Sequence, residues 1–530
     1  MDLTSFSHSP LSLLAPAVAI SLAIITRRTL LSLGAGLIIG ALLLCNWQPL
    51  HAAQYIGQAS LRIFWQDGHH TDRVYILIFL LCLGMITSFV SLTGGTRAFA
   101  DWARKRINTG RQSQILTVCL GIIIFIDDYF NALAVGSICR PLTDMNRISR
   151  AKLAYLIDST AAPVCVLTPI SSWGAYIVTL IGTILAPHGL TEASSFGAFV
   201  QMIPMNLYAL LALAMVAAAA AMKLDVGPMK KHAARAAGGE LYDSRRGHPP
   251  MGILDNGSDH QGYVYDLVVP VSILFVSTIT AILMTGANAL AAAGQEFTLL
   301  GAFENTNVNI SLLAGGVTGV ASSLFIAFRR ALPLKEIAAA AGKGAASMVG
   351  SLYILVLAWG LVAVIDQIGT GNYLASQVSH FVSGQWLPAL VFLVAGAMAF
   401  ATGTSWGTFG IMLPIVADMA AATDIAMVLP LMAAVLAGSV FGDHCSPISD
   451  TTILSSTGAS CHHIDHVTTQ LPYCLSVAAI SLVGYFVLGT SGSLVATLLV
   501  CSLLFCGLVM LLRRLAAVPD RPARAATVLD

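Results

Sequence analysis

The sequence predicts an all-α, polytopic membrane protein built as an inverted-topology repeat, with about eleven spans, two re-entrant hairpins and two broken helices. Three observations lead there. The first is composition: of 530 residues, 56% are hydrophobic and only 10% charged, with a mean hydropathy of +0.80, which is far from the soluble average. The second is a series of apolar runs of membrane-crossing length. The third is one short motif that occurs twice, at matching positions in two halves.

The apolar runs fall at about 11–26, 29–46, 74–95, 196–222, 265–286, 306–328, 344–366, 471–488 and 491–511. Residues 11–26 lack a basic segment before them and read as a retained first span. Two polar-punctuated regions, 113–187 and 386–461, are too long for one helix each. Each reads as a re-entrant hairpin followed by a broken helix: hairpins at about 113–139 and 386–416, broken helices at about 152–187 and 427–461.

Charge orients the stack, because cytoplasmic loops carry the excess of Lys and Arg. With the N-terminus outside and the C-terminus in the cytoplasm, 25 of the 27 Lys and Arg fall on the inner side. Only Arg62 and Arg73 fall outside. Spans at 11, 29 and 74 then run opposite to those at 265, 306 and 344. Residues 1–222 and 265–490 are therefore an inverted repeat, with 491–530 an extra closing span and cytoplasmic tail. The connection, 223–264, is polar, rich in Gly, His and charge, and expected to be a mobile cytoplasmic linker.

The repeated motif is Pro-x7-Ser-Ser-x-Gly-Ala. Its first copy runs from Pro163 through Ser171, Ser172 and Gly174 to Ala175; its second runs from Pro447 through Ser455, Ser456 and Gly458 to Ala459. Asp158 precedes the first proline by five residues and Asp443 the second by four. Prolines, glycines, small hydroxyls and a carboxylate at membrane depth are costly unless they line a polar cavity. Two such interruptions in corresponding positions point to a secondary transporter's binding site.

Other candidates follow from burial of charge. At the tip of the first hairpin, Asp127 and Asp128 adjoin each other near Asn131. Neighbours on a helix diverge by about 100°, so one of the two faces the cavity; the alternative is a solvated end of an ordinary span. Asp158, with Ser159, Thr160, Ser171 and Ser172, could coordinate a cation or cap a half-helix. At the second break Asp443, Ser446 and Asp450 share a face, beside His444, Thr451, Ser455 and Ser456. Pro447 frees a carbonyl near Asp443, a suitable oxygen for a hard cation. His444 reads equally as a proton-responsive neighbour or a packing histidine. Thr404 and Ser405, among glycines at the second tip, offer hydroxyls to a substrate or close packing to a helix. The metal set expected for Na⁺ is Asp158, Asp443 and Asp450.

The run from Cys461 to His466 has metal-ligand types, but is expected to be a solvated loop instead of a zinc site or pH sensor. His69 and His70 sit in an outer loop. The ten cysteines form no Cys-x-x-Cys pair and read as buried apolar residues. There is no phosphate loop, no His-Glu-x-x-His, and Val440 precedes Phe441-Gly442-Asp443 where an intramembrane aspartyl protease would carry Gly. No cofactor, no enzymatic activity and no nucleic-acid partner is expected; the partners are membrane lipid and a small cation, and a homodimer stays open.

The segments Phe125–Tyr176 and Gly438–Ala459 resemble the NhaC-type sodium/proton antiporter family, strongly over 113–176 and 401–466 and diffusely elsewhere. The resemblance implies membership of the ion-transporter superfamily, an elevator-like motion, and Na⁺/H⁺ exchange across the bacterial cytoplasmic (inner) membrane. The same family label covers exchangers of organic acids and amino acids. With Arg140 at the cytoplasmic edge and no arginine deep in either break, a bare cation is the favoured cargo and an organic acid or amino acid the alternative.

Overall fold

Seven helices are long and apolar enough to cross a membrane, and two bent pairs raise that number to nine, among the residues described. The computed structural model describes residues 3–517 except 27, 67–68, 106, 108, 126–127, 170, 186–194, 250–259, 371 and 374–384. Eleven spans were expected; the difference lies in the first apolar helix (Pro10–Leu22) and in the two pieces of the first broken helix, each too short individually to cross about 30 Å of hydrocarbon at 1.5 Å per residue.

In chain order the helices are α1 (Leu14–Thr26), α2 (Thr29–Leu44), α3 (Pro49–Phe64), α4 (Asp72–Leu92), α5 (Gly95–Arg104), α6 (Gly110–Ile123), α7 (Asp128–Met145), α8 (Arg150–Cys165), α9 (Ser172–Leu185), α10 (Ser195–Met202), α11 (Leu207–Met222) and α12 (Pro228–Ala237). They continue with α13 (Tyr265–Ala292), α14 (Leu299–Glu304), α15 (Val308–Arg329), α16 (Leu334–Ile368), α17 (Leu387–Thr402), α18 (Ser405–Thr423), α19 (Val428–Cys445), α20 (Asp450–Gly458), α21 (His463–Ser491) and α22 (Leu494–Ala517). Trp65–Gln66 and His69–His70 form a two-stranded antiparallel pair, which is where the outer-loop histidines go.

One helix was not anticipated. Residues 49–64 leave α2 at 118°, because Asn46 and Trp47 adopt positive φ and Pro49 opens the next helix. Ala52, Tyr55, Ala59 and Ile63 are its buried stripe, spaced as one helical face.

Two groups of helices result. In the first, α4 packs against α15 and α16, α13 against α15, α16 against α2, and α2 against α1. In the second, α8 packs against α6, α7 and α11, while α19 packs against α17 and α18. The second group contains a reciprocal exchange: α20 lies on α7, and α9 lies on α18. Close backbone approach makes the first of these contacts. A Cβ on Gly136 would stand 2.6 Å from the Gly458 carbonyl, and one on Gly458 would stand 2.5 Å from the Ala132 oxygen. Small residues at such a crossing let helices touch along their backbones. Gly136→Val is therefore expected to lower the melting temperature of the detergent-solubilised protein, by an overpacking cost of about 1–3 kcal/mol. Gly350→Ala, where a Cβ meets nothing within 4 Å, serves as control and should leave it unchanged.

The linker departs from expectation. Over 223–249 it is docked, not loose. Lys152 pairs with Asp225 at 2.9 Å, and Arg246 with Asp465 at 2.5 Å. The Tyr473 hydroxyl donates to the Leu224 carbonyl and accepts from the Val226 amide at 3.1 Å. Buried Arg150 donates to Asp144 at 3.0 Å and to the Ser460 hydroxyl at 3.0 Å, with Tyr242 stacked on its guanidinium. The basic residues that set the orientation by number thus also pin the connection to α8 and α21.

Candidate functional site

The two copies of the motif interrupt helices by different means. After α8 ends at Cys165, the Ser171 hydroxyl donates to the carbonyls of Cys165 (2.7 Å) and Thr168 (2.8 Å) and accepts from the Gly174 amide (2.9 Å). It satisfies both orphaned helix ends at once. Ser172 opens α9; its side chain lies outside the described residues. After α19, the Ser446 hydroxyl donates to the Phe400 carbonyl at 2.8 Å, tying the second break to α17. Ser449 caps α20 by accepting from the Thr452 amide. His463 Nε2 lies 2.8 Å from the Pro447 carbonyl, a bond that requires the proton on that nitrogen.

Asp158 is buried in the middle of α8 and its carboxylate is fully engaged. Oδ1 accepts from the Ser455 hydroxyl at 3.0 Å. Oδ2 accepts from Gln470 Nε2 at 2.6 Å, His466 Nε2 at 3.1 Å and the Thr452 hydroxyl at 3.4 Å. The second copy of the motif therefore serves the first copy's aspartate. His444 stands 3.9 Å from the same oxygen. Its Nε2 is 3.2 Å from the Ser159 hydroxyl and its Nδ1 3.0 Å from that of Tyr208. Thr160 turns away, its hydroxyl donating to the Leu156 carbonyl at 2.9 Å.

Asp443, in the last turn of α19, is equally buried but not equally satisfied. Oδ2 accepts from the Ser405 hydroxyl at 2.8 Å. Oδ1 meets no donor in hydrogen-bonding geometry among the described residues. Ser449 stands beside the carboxylate, but its hydroxyl is engaged with Thr451 Oγ1 at 2.8 Å. Thr452 links the two aspartates, its hydroxyl 3.5 Å from the Asp443 carbonyl as well as 3.4 Å from Asp158.

Asp450 opens α20 and faces elsewhere. The Tyr129 hydroxyl donates to its Oδ2, and Oδ1 accepts from the Thr451 amide at 2.9 Å. Together with Asp128, Tyr129 and Thr404 it lines a cavity of about 630 Å³ between the two helix groups. Asp128, buried at the start of α7, accepts from Trp173 Nε1 at 2.9 Å. Asn131 does not face this space. Its Nδ2 donates to the carbonyls of Gly121 (2.6 Å) and Ile124 (2.7 Å), closing the end of α6. Ser456 likewise serves the local backbone, donating to the Ile453 carbonyl at 2.7 Å and lying 3.3 Å from His463. Asp127 lies outside the described residues.

So the site residues divide into three places: a saturated node at Asp158 with Ser455, an open carboxylate at Asp443 with Ser405, and an acidic cavity wall at Asp128 and Asp450. Among the described residues no group of three or more His, Cys, Asp and Glu is placed to hold a metal ion. Two features escaped the sequence reading. His463 and His466 are buried, and no solvated loop forms there, because α21 begins at His463 and carries His466 and Gln470 one and two turns into the protein. Arg73, expected on the outer side, lines the same cavity as Asp450. No arginine was expected deep in either break, with Arg140 as the nearest basic residue; Arg73 instead shares a cavity with Asp450 at the start of the second break's latter half.

Comparison with known proteins came out as follows. Residues 164–490 match the model of the Na⁺/H⁺ antiporter family. An uncharacterized protein of Haemophilus influenzae is 46% identical over 490 residues, 92% of each chain. A malate-2H⁺/Na⁺-lactate antiporter of Bacillus subtilis is 29% identical over 147 residues, 24% of this chain and 30% of that protein. An arginine/ornithine antiporter of Halobacterium salinarum is 32% identical over 142 residues, 27% and 29% of the two chains. A nearly all-helical, membrane-spanning chain with two interrupted helices thus meets a family match over more than half its length. The protein is an ion-coupled antiporter of the Na⁺/H⁺ antiporter family.

Proposed function

We propose that the chain exchanges Na⁺ for H⁺ across the bacterial cytoplasmic membrane, with Asp443 as the group for which the two ions compete. One observation carries this: a buried carboxylate with an oxygen that meets no donor in hydrogen-bonding geometry among the described residues. A buried charge without a partner is costly and is removed by a proton or a cation. Either ion neutralises the site, and only the neutralised form crosses the low-dielectric barrier cheaply. Mutual exclusion at one oxygen then couples the two fluxes in opposite directions.

The surroundings suit a hard cation, which takes oxygen ligands. Ser405 supplies a hydroxyl already bound to the Asp443 carboxylate, and the interrupted α19–α20 segment supplies carbonyls, that of Asp443 among them. Asp158 has a different role in this scheme. Four donors occupy it, so it is a fixed organiser of α8, α20 and α21, with His466 and His444 beside the carboxylate.

The reciprocal packing of α20 on α7 and α9 on α18 supports the inverted repeat, since a two-fold rotation in the membrane plane interchanges those pairs. The charge bias supports an outer N-terminus and a cytoplasmic C-terminus. By that orientation the 630 Å³ cavity opens outward, and α17, α18 and their first-repeat counterparts form the moving group.

The test is direct. Purified protein in proteoliposomes with an interior pH dye should alkalinise or acidify the lumen on imposing a Na⁺ gradient, with choline chloride inert. A response to no alkali cation refutes the reading.

A further inference from the structure

We infer that protons reach the site from the cytoplasm by a route of their own, a polar seam inside the second helix group between α8, α11 and α21, and that the docked linker is its lid. This rests on the ion-exchange reading above and adds the path that one of the two ions takes.

The lining of this seam is polar where apolar packing would be cheaper. A cavity of about 10 Å³, room for one water, lies among Tyr155 and Ser159 of α8, Tyr208 of α11, His444 of α19, and Tyr473 and Cys474 of α21. All six are buried. The cavity shares no lining residue with the 630 Å³ space between the helix groups. Polar and ionisable side chains inside a membrane protein are costly and mark water paths and proton relays. Here they are also connected. The Tyr155 hydroxyl stands beside that of Ser159, four residues on along the same face of α8. Ser159 meets His444 Nε2 at 3.2 Å, and the Tyr208 hydroxyl meets Nδ1 at 3.0 Å. A hydroxyl both gives and accepts hydrogen bonds, so each oxygen in such a chain takes one proton and releases another, with no net change of its own. The inner end of the chain is the sequence neighbour of Asp443.

The outer end is shut by the linker. Tyr155 and Tyr473 stack at 4.6 Å, and Lys152 Nζ sits 5.6 and 5.4 Å from the centroids of the two rings. Lys152 precedes Ser159 by seven residues, about 10 Å nearer the start of α8 at 1.5 Å per residue. Three consecutive linker residues hold this plug. Asp225 pairs with Lys152 at 2.9 Å, the Leu224 carbonyl accepts from the Tyr473 hydroxyl, and the Val226 amide donates to that hydroxyl at 3.1 Å. The Asp225 side chain is 26% exposed and that of Lys152 only 3%, so the boundary between bulk water and the seam falls at this ion pair.

A lid at this place has a physical reason. Antiport requires the site to face one side of the membrane at a time. With the 630 Å³ cavity open outward, a seam wet from the cytoplasm would let protons cross without Na⁺. The linker docked in the same structure prevents that short circuit, and opening inward requires Lys152 and Tyr473 to part from it.

Cys474 is a built-in probe of the seam. Everted membrane vesicles carrying the full-length protein are treated with a charged, membrane-impermeant methanethiosulfonate, and modification of Cys474 is read by peptide mass spectrometry. The expected result is slow reaction in wild type and reaction at least tenfold faster in the double variant Asp225→Ala/Tyr473→Phe. Cys139, also buried but outside the seam, is the folding control and should stay unreactive; if it reacts, the single variant Asp225→Asn is read instead. In proteoliposomes, Tyr155→Phe and Ser159→Ala, which interrupt the hydroxyl chain, should slow Na⁺/H⁺ exchange tenfold or more while exchange of labelled Na⁺ for Na⁺, which moves no proton, keeps the wild-type rate. The inference is overturned if the lid variant labels Cys474 no faster than wild type does, if both chain variants exchange Na⁺ for H⁺ normally, or if they lose the two exchanges together. Should one chain variant fail to purify, the other decides. Absence of Na⁺-dependent proton movement in wild type refutes the ion-exchange reading instead, and Cys474 labelling still decides for or against the lid.

Discussion

Asp443→Asn is expected to abolish Na⁺/H⁺ exchange while leaving the protein folded. The amide keeps an oxygen able to accept from Ser405, whose hydroxyl stands 2.8 Å from Oδ2, so local packing is preserved. What disappears is the negative charge for which the ions compete. With no charge there is nothing for Na⁺ to neutralise and no proton to displace. The loss should reach a hundredfold or more, equivalent to about 2.8 kcal/mol or more of lost discrimination between the ion and water. Asp450→Asn should behave differently: Asp450 is already held by Tyr129 and the Thr451 amide and faces the cavity. Its replacement should weaken apparent affinity and leave exchange detectable. Dye-based exchange in proteoliposomes, with size-exclusion profiles as the folding control, reads both. Normal exchange by Asp443→Asn would remove Asp443 from the mechanism.

Asp158→Ala is expected to have the largest effect on stability. The carboxylate accepts from Ser455, His466, Gln470 and Thr452, all buried. Removing the acceptor leaves several donors unsatisfied, at about 1–3 kcal/mol each. These donors come from α20 and α21 and the acceptor from α8, so the substitution releases the place where three helices of the second group are joined. A melting temperature in detergent lowered by several degrees, or failure to recover folded protein, is the expected outcome. Asp158→Asn should be milder, because one amide oxygen remains, yet its new NH₂ group meets Gln470 or His466 as a like donor. A variant that melts as wild type does while losing Na⁺ dependence would transfer Asp158 from the organising role to the ion site.

The breaks in the chain were legible because they have local causes. Proline inside a helix removes a donor and crowds the preceding turn, and a serine following it can cap the next segment. Pro163, Ser171 and Pro447 therefore announce interruptions without any tertiary information, and α8, α9, α19 and α20 end and begin near them. The same holds at Gly403, whose φ of +73° stops α17 where the glycine-rich tip suggested a turn.

What each interruption touches was not legible. Ser171 and Ser455 occupy the same motif position, yet one seals its own backbone and the other reaches Asp158, 297 residues away in sequence. The difference depends on the crossing of α7, α8 and α20, which periodicity does not encode. His466 was read as part of a loop because five titratable residues among the six of 461–466 look like a solvated end. The structure starts α21 within that run, so its charges are absorbed by Arg246 on one side and its histidines by Asp158 and Pro447 on the other. Arg73 escaped for the opposite reason. A charge count assigns a residue to one side of the membrane but says nothing of whether it points to bulk water or into a cleft.

The most direct measurement is proton release on binding. Purified protein in weakly buffered detergent solution at near-neutral pH, containing a pH indicator, is given NaCl and, separately, choline chloride. If Na⁺ and H⁺ exclude one another at Asp443, Na⁺ displaces protons saturably, choline displaces none, and Asp443→Asn shows no release. Sodium binding without proton release, or equal release from Asp443→Asn, would contradict competition at that carboxylate.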